Sequence, residues 1–119
     1  MADSPSFQSI ASMSVHEFAE RQRITVAPLQ LIDVRELEEI ELAKLDGFLH
    51  LPLSQFGEWS IHIADSLNPD TETVVMCHHG IRSAQMCAWL MQQGFSNVKN
   101  LSGGIDAYSV SIDPQVPRY

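Results

Sequence analysis

Residues 73–83 read TVVMCHHGIRS, and the meeting of two patterns inside this stretch decides the fold. Thr73 to Met76 form a short, apolar, β-branched run of the kind a buried parallel strand requires. From Ser83 to Gln93 the residues are good helix formers, with Ala84, Cys87, Ala88, Leu90 and Met91 on one face and Gly94 placed to cap the end. Cys77, His78, His79, Gly80, Ile81, Arg82 and Ser83 therefore form a strand-loop-helix junction. A loop closing onto a helix N-terminus turns several backbone N–H groups toward one spot, where the helix dipole adds positive potential. A cysteine sulfur at that spot is favoured as thiolate. Gly80 supplies a backbone conformation with positive φ, and Arg82 adds a permanent charge for an oxyanion. These parts fit a nucleophilic thiolate and an anionic substrate.

Working outward, the same alternation of strand and helix repeats. Ser14 to Glu17 (SVHE) has capping-box spacing, which predicts a helix over residues 15–22. LQLIDV at 29–34 reads as a buried strand, followed by a Glu-rich helix over 35–42. Residues 48–51 read as a short strand stopped by Pro52, with Ser54 opening a turn or helix through Trp59 and Ile63. Asn68-Pro69-Asp70 is a turn, residues 97–101 a strand, and Gly103-Gly104 opens a last short helix with Ile105, Ala107 and Tyr108. Such alternation predicts an α/β architecture with a mainly parallel central sheet and helices on both faces. Its ligand site lies beyond the carboxyl ends of the strands.

The chain has 119 residues, 45% hydrophobic and 18% charged, with six Gly and six Pro. That composition suits one globular domain over 1–119. Fifteen acidic against seven basic residues give a net charge of −8, so neither nucleic acid nor an anionic membrane is an expected partner. The acids avoid residues 73–105, where Arg82, Lys99, His78 and His79 lie, which suggests a locally electropositive stretch for a small anion. The opening MADSPSFQSI has neither a basic nor an apolar leader region, and no apolar run matches a membrane span, so the expectation is cytoplasmic. Two cysteines, Cys77 and Cys87, in no zinc or CxxC spacing fit a reducing compartment and a chemical use for a thiol.

Three segments in order, LIDVRE (31–36), CHHGIRS (77–83) and GFSNVKNLSGGIDAY (94–108), together resemble the single-domain rhodanese family over most of the chain. The closing DPQVPRY resembles the tail of some bacterial members. The departure lies at residues 43–53, AKLDGFLHLPL: Gly47 and Pro52 alone match the family's usual GHIxGAxNIP, which bears on substrate or partner contacts more than on the loop. The resemblance implies a rhodanese fold and sulfur transfer. Cys77 takes the outer sulfur of thiosulfate or a similar anionic donor, then passes it from a persulfide to cyanide or a thiol, which includes a protein thiol. The loop amides of His78, His79, Gly80, Ile81, Arg82 and Ser83 stabilise the charged sulfur, Arg82 orients the anion, and neither metal nor organic cofactor is needed.

Other residues have plainer readings. Cys87 falls on the apolar helix face and reads as core. His78 and His79 either tune the thiol, meet a partner or are simply exposed, while His16, His50 and His62 lack ligand spacing. Asp33 and Arg35 end a strand near the site, as a local ion pair or a cap. Glu36, Glu38, Glu39 and Glu41 spread around a helix as a solvated face, and Trp59 and Trp89 read as core or pocket walls. Two rival functions stand beside sulfur transfer. One is a phosphatase or arsenate reductase, disfavoured because Cys77 to Arg82 is C-x4-R and forms a smaller cup than C-x5-R. The other is a non-catalytic docking module, disfavoured by the intact Cys77, Gly80, Arg82 and Ser83.

Overall fold

The computed structural model describes residues 10–24 and 27–119; residues 1–9, on which the leader reading rests, lie outside them. The predicted capping box closes in both directions. The Glu17 amide donates to Ser14 Oγ at 3.0 Å and the Ser14 amide to a Glu17 carboxylate oxygen at 2.9 Å. It starts α1, Val15–Ile24, whose Val15 and Phe18 face inward.

Among the described residues, five strands form one sheet: β1 (Ala11–Met13), β2 (Gln30–Asp33), β3 (Leu49–His50), β4 (Thr73–Met76) and β5 (Val98–Leu101). Their order is β1-β5-β4-β2-β3, and every pairing is parallel. The sheet is thus wholly rather than mainly parallel. β4 lies at its centre with all four residues buried, as its unbroken apolar run requires. The edge strand β1 had no signal in the sequence, since only Met13 of its three residues is buried.

The helices α2 (Leu37–Leu42), α5 (Ile81–Gln92) and α6 (Gly104–Ser111) follow β2, β4 and β5. Between β3 and β4 the chain makes short helical turns, including α3 (Phe56–Trp59) and α4 (Ile63–Ser66). Side-chain alternation along β4 splits the core in two. Val75 and Cys77 join Met86, Cys87 and Leu90 of α5, with Ile32, Ile63 and Phe95. Val74 and Met76 join Phe18 of α1, Ile105 of α6 and Val116. Each fully buried side chain of this size contributes about 1.5–3 kcal/mol relative to exposure. Trp59 and Trp89 wall the first core with Phe56, their ring centroids 5.9 Å apart.

At the carboxyl end of β2, Asp33 and Arg35 form a buried ion pair, with Nη2 to Oδ2 at 2.8 Å and Nε to Oδ1 at 3.0 Å. Of the two readings open in the sequence, the local ion pair is the one realised. The divergent segment 43–53 is packed into the fold: Ala43 and Leu51 are buried, and a His50 ring nitrogen lies 2.6 Å from the Arg35 carbonyl.

Candidate active site

Three structural constraints shape the loop after β4. Gly80 has φ 104°, a left-handed conformation that a residue with a Cβ rarely adopts. α5 then starts at Ile81, ahead of the expected Ser83, so Ser83 lies in its first turn and its N–H is free of an intrahelical partner. Finally, α6 docks end-on. The Ile105 and Asp106 amides donate to the Cys77 and His78 carbonyls at 3.0 and 3.1 Å. A Cβ on Gly104 would stand 2.3 Å from the Cys77 carbonyl oxygen, which makes glycine obligatory there.

The result is a cup around the Cys77 sulfur, which is buried. The amides of Gly80 and Ser83 donate to Sγ at 3.1 and 3.3 Å, and Ser83 Oγ lies 3.2 Å away. Ser83 Oγ donates in turn to Asn100 Oδ1 at 2.5 Å, while Asn100 Nδ2 donates to the Gly80 carbonyl at 3.0 Å. The ring of contacts closes on itself. With the Ser83 proton on Asn100, a Cys77 thiol donates to Ser83 Oγ; once the sulfur is ionised, the same hydroxyl can turn toward it. Two amides and a hydroxyl aimed at one sulfur stabilise negative charge that develops on it.

Arg82 sits at the mouth, but not as a bare cation. Its two terminal nitrogens donate to the two oxygens of Glu39 at 2.7 and 2.8 Å, a paired-fork geometry. The Arg82 contact holds the Glu39 carboxyl down at about 2, and Glu39 in turn raises Arg82 above the ordinary arginine range. Glu39 also accepts from the Glu36 amide at 3.0 Å and from the Tyr119 hydroxyl at 2.9 Å. Tyr119 accepts from Arg35 at 3.0 Å and stacks on His78 with ring centroids 3.8 Å apart. His79 stacks on the other face of His78, also at 3.8 Å.

Two expectations are corrected here. Glu39 does not belong to a solvated face: α2 carries it to Arg82, a contact between residues 43 positions apart in sequence. Nor do residues 73–105 present a bare positive patch, because acids outside the stretch pair with its basic side chains, Glu39 from α2 and two that flank it directly. Glu72 takes Lys99 at 2.6 Å, and Asp106, held by Arg118 at 2.9 Å, lies 3.9 Å from His79. Of the two histidines, His79 is exposed as one reading had it, whereas His78 is partly buried with Nε2 enclosed and unpartnered. Burial, then the neighbouring His79, push the His78 imidazole below the ordinary histidine value.

His78, His79 and Asp106 bring ligand atoms within 4.8 Å of one another. Asp106 is already engaged by Arg118, and facing imidazoles direct their in-plane lone pairs side by side rather than at one point. Cys87 is fully buried, its thiol pushed up to about 12 by burial and then by Cys77, as its core reading expects. Asn100, Glu39 and Tyr119 were missed. Only tertiary contact makes them part of the site, although Asn100 and Tyr119 fall within two of the segments quoted for the family likeness.

Comparison with known proteins bears on the fold and the family. The family model for the rhodanese-like domain matches residues 14–111. A chloroplastic rhodanese-like/PpiC domain-containing protein 12 of Arabidopsis thaliana is 53% identical over 90 residues, covering 76% of this chain and 30% of that protein. The chain thus spans under a third of that relative. The thiosulfate sulfurtransferase GlpE of Actinobacillus succinogenes is 33% identical, with 75% of this chain and 77% of that protein covered. Among solved structures, a rhodanese-related protein of Thermoplasma volcanium superposes with TM-score 0.68 at 28% identity, over 90% of this chain and 95% of that one. A Staphylococcus aureus rhodanese-like domain superposes with TM-score 0.74 at 22% identity, over 92% and 99%. Fold, loop and relatives converge, and the chain belongs to the rhodanese-like domain family.

Proposed function

We propose that the chain is a sulfurtransferase in which Cys77 is the nucleophile and carries sulfur as a persulfide. The observation that carries this reading is the convergence of the Gly80 and Ser83 amides and the Ser83 hydroxyl on one sulfur. With thiosulfate, the Cys77 thiolate attacks the outer sulfur. A bond forms from Cys77 to that sulfur, the sulfur–sulfur bond of the donor breaks, and sulfite leaves with the electron pair. Cyanide or a thiolate then attacks the outer sulfur of the persulfide, and the Cys77 thiolate is regenerated as the leaving group. The cup stabilises negative charge on sulfur through both steps.

Arg82 is the cation at the mouth, which an anionic donor reaches in competition with Glu39. The four residues between Cys77 and Arg82 make a short loop, which argues against phosphoryl transfer. Two free cysteines suit a reducing, cytoplasmic setting, and no helix among the described residues is long and apolar enough to cross a membrane. Cyanide-dependent formation of thiocyanate from thiosulfate tests the reading. Wild-type protein turns over, and folded Cys77→Ala loses at least about a hundredfold of the rate. Turnover retained by folded Cys77→Ala would overturn it.

A further inference from the structure

We propose that Glu39 is a specificity-determining residue, one that sets the Cys77 cup against dianionic sulfur donors and in favour of persulfides bearing little charge. The proposal rests on the sulfur-transfer reading of Cys77.

Each arginine among the described residues answers to a carboxylate. Arg35 pairs with Asp33, Arg118 with Asp106, and Arg82 with Glu39. The Arg82–Glu39 pair is the one a donor meets, and both oxygens of Glu39 are taken up by Arg82. Glu39 is also held from behind. It accepts from the Glu36 amide and the Tyr119 hydroxyl, and Tyr119 is itself fixed by Arg35 and by its stack on His78. With side-chain exposures of 34% for Arg82 and 18% for Glu39, solvent screens the pair only in part. A built-in carboxylate competes at high effective concentration with any anion arriving from solution. A dianion has either to displace Glu39 from Arg82 or to settle beside its negative charge.

A low-charge persulfide R–S–SH needs neither. Its outer sulfur meets the Cys77 thiolate, the Cys77–S bond forms, and the donor S–S bond breaks. The electron pair leaves on RS⁻, which is protonated from solvent, while the Gly80 and Ser83 amides hold the Cys77 sulfur that makes the attack. One sulfane sulfur changes hands and no external oxidant is required.

The test compares the rates of Cys77 sulfur loading from thiosulfate and from 2-hydroxyethyl persulfide, an uncharged thiol's persulfide, by quenched intact-mass measurement. Glu39→Gln is expected to raise the thiosulfate rate about tenfold and to change the persulfide rate by less than about threefold. Glu38→Gln, an exposed carboxylate on the same helix, should leave the ratio of the two rates where it is in wild type. Should Glu39→Gln fail to fold, Glu39→Ser is read by the same ratio. A folded Glu39 variant with an unchanged ratio, or a Glu38→Gln ratio that moves equally, overturns the proposal while sulfur transfer stands. Wild-type Cys77 that loads from neither donor brings down the sulfur-transfer reading and this proposal with it.

Discussion

Around Cys77, the proposed chemistry rests on a few polar atoms whose partners lie within the chain. The sulfur sees two amides and a hydroxyl, and each is fixed by another contact: Gly80 by Asn100, Ser83 by Asn100 and by α5. Arg82 sees Glu39, and Glu39 sees Tyr119. Removing Arg82 therefore does two things at once: it takes the cation from the mouth and leaves the Glu39 carboxylate facing it. Arg82→Ala is expected to lower kcat/KM for thiosulfate by at least about tenfold and that for 2-hydroxyethyl persulfide by less. Steady-state kinetics with both donors checks this. Equal losses would mean that Arg82 holds the loop and does not receive the anion.

At the scale of elements, the cup is a joint between the end of β4, the first turn of α5 and the first turn of α6. The α6 contribution depends on backbone approaching backbone, and it fails if a side chain intervenes. Gly104→Ala would bring a methyl group to 2.3 Å from the Cys77 carbonyl and 2.5 Å from that of His78. We expect it to push α6 off the loop, lowering stability by about 2–4 kcal/mol, with sulfur loading of Cys77 slowed in whatever remains folded. Urea unfolding, read beside loading rates, checks both; unaltered stability would show that the joint is loose. β4, α5 and α6 were legible because an apolar run, a helical stripe and paired glycines are local signals. The Cys77 loop was legible for the same reason. β1 was not, since a three-residue edge strand owes its existence to pairing with β5. Nor was the role of Glu39: its place among Glu36, Glu38 and Glu41 looks like a solvated face until β2 and β4 lie side by side and bring α2 to the loop.

The whole molecule carries a net charge of −8, yet its buried-edge acids act as partners for its few cations. Glu72 binds both Arg21 and Lys99, tying α1 and β5 to the turn before β4. Arg21 holds the Glu72 carboxyl down at about 2, and Arg82 holds Glu39 at about 2. Both lie below the ordinary 4.5 of an unpaired glutamate, so the stability they contribute is fully present above that value. It is lost as pH falls toward the folded-state value. The share of the urea midpoint owed to Glu39 and Glu72 should thus change little between about pH 7 and pH 5 and drop below about pH 4.5, after an earlier loss from His78, whose lowered value costs stability as pH falls through the ordinary histidine range. Glu39→Gln/Glu72→Gln should start lower and fall less over that acid range. A double variant that falls as steeply as wild type would assign the acid sensitivity to other groups.

The central claim, a persulfide on Cys77, is tested most directly by weighing the protein. Reduced wild-type chain and Cys77→Ala are incubated with thiosulfate and, separately, with 2-hydroxyethyl persulfide, and their intact masses recorded before and after cyanide. The account predicts a gain of one sulfur atom in wild type alone, reversed by cyanide with formation of thiocyanate. No gain from either donor in folded wild type with a free Cys77 thiol, or an equal gain in Cys77→Ala, would contradict it.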